Sequence, residues 1–272
     1  MTALDAIAAA TRLLSGKSGS PRLDAELLMA AAMGVDRNAM LLRFMDAEAP
    51  PAFDTLVQRR LSGEPIAYIL GKRDFWTISL KVGPGVLVPR PDTETLMEAA
   101  LAHFGPAGPR TVLDLGTGPG TLLLACLSQW PEASGVGVDK SMTALAYARE
   151  NARALGMSGR ADLRQGDWTE GLDGPFDLIM CNPPYVERDA VLPDDVRDWE
   201  PGEALFAGMD GLDDYRRLAP LIVPLIAPGG IACIEVGAGQ AGAVAALFEA
   251  EGVIARSRKD LNGHDRCIEV TA

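Results

Sequence analysis

From residue 111 to the end of the chain, short apolar runs alternate with stretches of helical period, and that alternation leaves little choice of fold. Residues 111–115, 135–138, 161–165, 176–181 and 231–236 read as strands, with two more near 253–257 and 267–270. Helical patterns fill the gaps around 122–127, 143–155, 215–226 and 241–251, the third kinked or divided by Pro220 and Pro224. Alternation of this kind predicts an α/β, Rossmann-like doubly wound sheet, with ligands gathered at the carboxyl ends of the strands.

Four of those strand ends carry groups suited to a ligand. The run at 176–181 stops abruptly at Asn182-Pro183-Pro184-Tyr185. Proline follows both Asn182 and Pro183, which favours extended backbone at each, and the two rings fix φ, so the tetrapeptide is stiff without help from the fold. What it leaves outward is a carboxamide, the Pro183 carbonyl and a phenol ring. This set suits a planar amino group with two N–H bonds. If the Asn182 side-chain oxygen and the Pro183 carbonyl each accept one hydrogen, the nitrogen is held in one orientation and rehybridises toward an electrophile as the bond forms. Pro184 and Tyr185 would sandwich the planar group. As an isolated motif, Asn-Pro-Pro is equally a loop opener.

The other three ends are the turn Gly116-Thr117-Gly118-Pro119-Gly120, Asp139, and Asp167-Trp168. Glycines let a ligand approach the backbone and expose amide N–H groups at a helix start. Asp139 stands where nucleoside-binding folds place a carboxylate for ribose hydroxyls, though a helix cap would use the same residue. Asp167 is suited to an adenine amino group and Trp168 to covering the ring, or to the core. The turn has Gly-x-Gly-x-Gly spacing rather than the dinucleotide pattern, and lacks the Lys and Ser or Thr of a phosphate-binding loop. A nucleoside without a polyphosphate fits better, and S-adenosylmethionine is the obvious choice.

Ahead of this region, residues 2–71 read as short helices. Thr2, Ser20-Pro21 and Asp36 are start signals; Gly34, Gly63 and Gly71 are stops. The period then changes. Trp76, Ile78, Leu80 and Val82 alternate with polar residues, Gly83-Pro84-Gly85 reads as a turn, and residues 86–88 as a second strand, giving a hairpin between two domains. Asp92 is placed to cap the helix that follows, and Arg90 and Glu94 to wall a ligand site. The expected division is 1–72, a helical domain that is either a stabilising appendage or a substrate-engaging module; 73–88, a linker hairpin; and 89–272, the sheet domain.

A net charge of −12 argues against a phosphate-backbone substrate and permits a basic protein partner. Cys126, Cys181, Cys233 and Cys267 are widely spaced and read as buried thiols; with only His103 and His264 besides, no metal site is expected. His103 reads as structural. No segment reads as a membrane span or an export signal, which gives a cytoplasmic expectation. The loop at 187–199 is acidic and reads as solvated.

The chain resembles the HemK/PrmC family of peptide chain release factor glutamine methyltransferases. The resemblance rests on residues 63–71 (GEPIAYILG), 86–94 (VLVPRPDTE), 114–118 (DLGTG), Gly166-Asp167-Trp168, Asn182 to Tyr185, Glu200-Pro201 with Ala204-Leu205, Asp210-Gly211-Leu212, and Lys259-Asp260-Leu261 with Asp265-Arg266. It implies a class I S-adenosylmethionine-dependent methyltransferase with a small N-terminal helical domain that helps engage a release factor. It also implies that Gly116, Thr117, Gly118, Gly120, Asp139 and Trp168 bind the cofactor, and that Asn182 to Tyr185 hold the glutamine of a Gly-Gly-Gln motif. Pro119 stands where the family usually has a small residue, often Ser or Thr, so altered contacts in the turn are expected. The expected enzyme is a monomer that methylates class I release factors and has no direct contact with nucleic acid. Its rivals are a ribosomal-protein glutamine methyltransferase, an adenine-amino methyltransferase on nucleic acid, and a non-catalytic S-adenosylmethionine-binding protein.

Overall fold

The computed structural model describes residues 1–271 and divides into two compact units, one of residues 1–72 with 192–200, the other of 73–191 with 201 onward.

The first unit is helical: α1 (Ala3–Leu14), α2 (Pro21–Met33), α3 (Arg37–Arg43), α4 (Ala52–Leu61) and α5 (Ile66–Leu70). Thr2 caps α1 by accepting from the Asp5 backbone N–H at 3.2 Å, and Asp36 caps α3 through Ala39 at 2.9 Å. Ser20 occupies the corresponding place before α2 but makes no backbone cap; its hydroxyl turns to the Asp24 carboxylate. Ala3, Ala6, Ile7, Ala10 and Leu14 line one face of α1 and pack with Leu28, Met29, Met40, Phe53 and Val57 into a separate core.

In the hairpin that follows, β1 (Lys72–Phe75) pairs with β2 (Ile78–Lys81). The chain turns at Trp76-Thr77, not at residues 83–85, and residues 86–88 are not a strand. Pro84, Pro89 and Pro91 remove donors that a ladder through this segment would need. Trp76 takes φ +52°, pinned by its N–H donating to Glu94 Oε1 at 3.0 Å and its indole donating to Gln129. Asp92 does not cap the next helix, α6 (Glu94–Phe104). A 3₁₀ turn over Pro91–Thr93 carries it into the helix entrance, where it pairs with Arg266 at 3.2 Å.

Strands and helices then alternate: β3 (Thr111–Leu115), α7 (Thr121–Gln129), β4 (Ser134–Asp139), α8 (Met142–Ala154), β5 (Ala161–Gln165), β6 (Phe176–Cys181), α9 (Asp194–Arg197), α10 (Asp213–Ile222), β7 (Ile226–Glu235), α11 (Ala241–Glu249), β8 (Ile254–Lys259) and β9 (Asp265–Thr271). The sheet order is β5-β4-β3-β6-β7-β9-β8, parallel through β7 and antiparallel at the β9 and β8 edge. Pro220 is accommodated inside α10, and a 3₁₀ turn at Val223–Leu225 follows it. β7 starts at Ile226, earlier than expected, and a register shift opposite Phe176–Leu178 absorbs the extra residues. Leu115 lies opposite both Val138 and Cys181, and Cys181 opposite Ile234, so four adjacent strands end level. Leu113, Ile179, Ile234, Val244 and Phe248 are among the buried residues that fill one face.

Residues 192–200, expected to be part of a solvated loop, pack with the helical unit. The Arg60 guanidinium, 5% exposed, bonds Asp24 at 2.8 Å on one side and Asp195 at 3.2 Å on the other. A buried cation needs such partners, and the acidic segment supplies one of them. The four cysteines are free and buried, and the His103 ring bonds the Gly229 carbonyl at 3.0 Å. Among the described residues, no helix is long and apolar enough to cross a membrane, and no cluster of potential ligands would hold a metal.

Candidate active site

Because β4, β3 and β6 end level, the residues just beyond them share one crevice. A cleft of about 340 Å³ is lined by Gly116, Gly118, Asp139, Asp167, Trp168, Asn182 and Pro184, with Lys140, Glu203, Asp214 and Arg217 at its polar margin. A smaller recess adjoins it, lined by Arg90, Thr93, Thr117, Pro119 and Asn182 among others. Gly120, Pro183 and Tyr185 line neither.

The glycine turn is shaped by its backbone. Gly116 takes φ +71°, a region closed to most side chains, and a Cβ there would stand 3.4 Å from the Trp168 ring. Its N–H and that of Thr117 donate to Val138 O, which ties the turn to β4. Beneath it the buried Asp114 carboxylate accepts from Thr117 Oγ1 at 2.6 Å and from the Leu123 N–H at 3.0 Å. Burial outweighs both bonds and pushes the Asp114 carboxyl up to about 6. At Pro119, where altered contacts were expected, the carbonyl accepts from Asn151 Nδ2 at 2.9 Å.

Asp139 is not the cap of the following helix. Oδ2 accepts from Gly118 N–H and Oδ1 from Ser141 N–H, each at 2.8 Å, while the cap of α8 is Ser141 itself. Burial raises its carboxyl. Trp168, at φ +54°, packs on the core and also lines the cleft. Asp167 is exposed and ion-paired with Arg217 at 2.9 Å, so an incoming amino group would compete with that guanidinium.

Asn182 is half-buried at the meeting of cleft and recess, and its Nδ2 donates to Thr93 Oγ1 over a long 3.4 Å. The Tyr185 phenol donates to Glu235 Oε1 at 3.2 Å. Its main chain is clasped as well. Gln240 Nε2 donates to Tyr185 O at 3.0 Å, and a Cβ on Gly211, at φ +70°, would lie 2.3 Å from that oxygen. Burial and the Glu235 charge hold the Tyr185 phenol far above its ordinary value.

Glu235, Thr93 and Gln240 form the part of the site that motif reading missed. A signal existed: Glu235 is a carboxylate ending the apolar run 231–234, one place beyond the residue paired with Cys181. It is 1% exposed, and burial pushes its carboxyl up to about 7.

Two family models match parts of the chain. Residues 5–71 match the family model described as PrmC N-terminal domain, and residues 92–197 the methyltransferase small domain. A Caulobacter vibrioides protein named release factor glutamine methyltransferase is 42% identical over 268 residues, 96% of this chain and 93% of the relative. One of the same name from Rhodospirillum rubrum is 45% identical over 254 residues, 91% of this chain and 78% of its own. Among solved structures, the T. thermophilus 16S rRNA N2 G1207 methyltransferase, in complex with AdoMet and guanosine, is similar at a TM-score of 0.55 and 22% identity, over 74% of this chain and 50% of that one. A Pyrococcus furiosus methyltransferase gives a TM-score of 0.53 at 16% identity, over 70% and 87%. At such identities the two structures establish the shared fold.

Proposed function

The chain belongs to the release factor glutamine methyltransferase family, and from that premise we propose which of its residues carry the reaction. It is a methyltransferase that methylates a glutamine of release factors. The acceptor is the side-chain amide nitrogen of the Gly-Gly-Gln glutamine in class I factors, and the donor is S-adenosylmethionine.

The residues present fit that donor. Gly116 leaves the floor of the cleft free of any side chain, with the Trp168 ring in the wall beside it. Asp139 is held by two backbone N–H groups and keeps lone pairs for ribose hydroxyls. No Lys-Ser or Lys-Thr pair, which a polyphosphate-binding loop would demand, follows Gly120. When bound, S-adenosylmethionine supplies an electrophilic methyl whose carrier leaves as a neutral thioether.

The protein's own task is then orientation. An amide nitrogen is a poor nucleophile because its lone pair is delocalised. Asn182 Oδ1 and the Pro183 carbonyl accept its two hydrogens, which fixes the lone pair toward the cleft; these bonds strengthen as positive charge develops on nitrogen, and one of the two protons is then released to solvent, leaving the neutral N-methyl amide. No enzyme nucleophile is needed. The single observation that supports this most is the position of Asn182, which lines both the cleft and the recess.

With a net charge of −12, the molecule suits a basic protein substrate better than a nucleic acid. The enzyme acts as a cytoplasmic monomer, and its helical unit, residues 1–72, engages the factor. Incubation of a purified class I release factor with labelled S-adenosylmethionine, read by peptide mass spectrometry, tests the reading. One methyl on the Gly-Gly-Gln glutamine is expected, and none on a Gln→Ala factor or duplex DNA. Methylation of a ribosomal protein or of DNA instead would overturn it.

A further inference from the structure

We propose that Met209 and Leu261, exposed apolar side chains on two braced loops flanking Asn182 to Tyr185, form the surface on which the polypeptide around the release-factor glutamine docks. The inference rests on the reading that Asn182 receives that glutamine.

Both side chains stand in water on backbone that is held in place. Met209 is 64% exposed and Leu261 94% exposed. The Met209 loop is tied to the tetrapeptide: the Tyr185 and Val186 N–H groups donate to Leu205 O, Ala207 N–H donates to Val186 O, and Arg188 N–H to Gly208 O. Next to Met209, the Asp210 carboxylate is gripped by Arg216 at 2.5 Å and accepts from Leu212 N–H at 3.2 Å. Leu261 lies in the turn 260–264 between β8 and β9. There Asp260 Oδ1 accepts from the Asn262 and His264 N–H groups at 2.9 and 3.0 Å, and Asp260 N–H donates to His264 O at 2.8 Å. Arg266 fixes the root of this hairpin, donating to Val236 O at 3.2 Å and pairing with Asp92 at 3.2 Å. Loops braced in this way lose little freedom when a partner covers them, so the burial of their apolar tips is retained as affinity.

Sheet register says what covers them. Cys181 lies opposite Ile234 and Glu235 opposite Cys267, so Asn182, Glu235 and Cys267 share one level at the end of the sheet. Because β9 is antiparallel, the residues before Cys267 stand beyond that level, and the turn past the Lys259–Asp265 pair rises further still. Two strand spacings across and at least two residues up put this turn roughly 12 to 15 Å from Asn182. A standard protein interface covers about 800 Å² of each partner, a disc of about 16 Å radius. Centred on Asn182, such a disc takes in the turn, and the Met209 loop is bonded to the tetrapeptide itself. A glutamine carried by a folded protein therefore cannot reach Asn182 without bringing its neighbours over both tips. The two glycines before that glutamine have no side chains, so apolar contact has to come from the residues flanking the motif. Ile254 provides the contrast: it is 57% exposed on the same hairpin, but at the far end of β8.

The test compares Met209→Ser, Leu261→Ser and the double variant with Ile254→Ser, using methylation of a purified release factor. Each rim variant should raise KM for the factor about three- to tenfold with kcat within about twofold of wild type, the pattern of lost uniform binding. The two effects should multiply in the double variant, and S-adenosylmethionine affinity and the urea midpoint should stay at wild-type values. Ile254→Ser should leave KM unchanged. An unchanged KM in the double variant, an equal rise from Ile254→Ser, or a loss of kcat and cofactor affinity in place of KM would each overturn the proposal. So would a wild-type dimer that the double variant dissociates at unchanged KM, since a second copy would then be the occupant. A wild-type enzyme that binds S-adenosylmethionine but methylates no release factor would instead overturn the reading on which the proposal rests, and the proposal with it.

Discussion

Tyr185 and Glu235 are 50 residues apart in sequence, yet the phenol of one donates to the carboxylate of the other over 3.2 Å, joining the loop after β6 to the end of β7. The bond fixes the last residue of the Asn182–Tyr185 tetrapeptide to a buried position at the end of a central strand, and it gives that position a buried carboxyl.

Stability should report that carboxyl. Glu235 is raised from 4.5 to about 7 in the folded protein, so native protein holds a proton that unfolded protein releases. The stabilising contribution is complete below about 4.5 and is lost as pH rises through about 7. At about 1.4 kcal/mol per pH unit, the separation corresponds to roughly 3 kcal/mol. Glu235→Gln lacks the titration and should gain on wild type between pH 5 and 8 by an amount of that order. Urea unfolding of both proteins across the range checks this, and parallel stability curves would count against it.

Substitution of Gly116 should act on the cofactor. A Cβ at φ +71° is strained by roughly 1–2 kcal/mol and stands 3.4 Å from Trp168. Gly116→Val should weaken S-adenosylmethionine binding at least tenfold by calorimetry, with a smaller change in melting temperature. Full affinity in that variant would remove the turn from the binding site.

Asp139→Ala should separate binding from folding in the same way. It leaves the N–H groups of Gly118 and Ser141 without their acceptor and removes the proposed ribose ligand. Affinity should fall about tenfold to a hundredfold, as expected for a charge-assisted pair of bonds. Unchanged affinity would mean that Asp139 serves only to brace the turn.

In the helical unit the two partners of Arg60 should differ in weight. Asp24 is 4% exposed and Asp195 36% exposed at the side chain. Asp24→Ala strands a buried guanidinium and should cost about 3 kcal/mol or more, whereas Asp195→Ala should cost under about 1 kcal/mol. Chemical denaturation of each variant decides between this ranking and equal effects.

The parts of the molecule legible in sequence were those set by local rules. Strand and helix alternation gave the doubly wound sheet, and glycine spacing with Asp139 and Asn182 gave the cleft, since parallel strands deliver their carboxyl ends to one place. What could not be read depended on partners distant in the chain. The hairpin turns at Trp76 because Glu94 holds a strained backbone there. Asp92 pairs with Arg266, 174 residues later, in place of a helix N–H. Residues 192–200 look solvated until Arg60 is seen to need a second carboxylate. Glu235 was visible only as an acidic residue closing an apolar strand, a signal without a partner until the fold supplied Tyr185.

The most direct test of the account is Asn182→Ala, measured for S-adenosylmethionine binding and for turnover on a purified release factor in the same preparation. If Asn182 orients the glutamine amide, affinity should stay within about threefold of wild type while kcat falls by roughly a thousandfold or more. Equal losses in affinity and turnover would show that Asn182 mainly builds the cofactor cleft, and a variant with near wild-type kcat would contradict the mechanism outright.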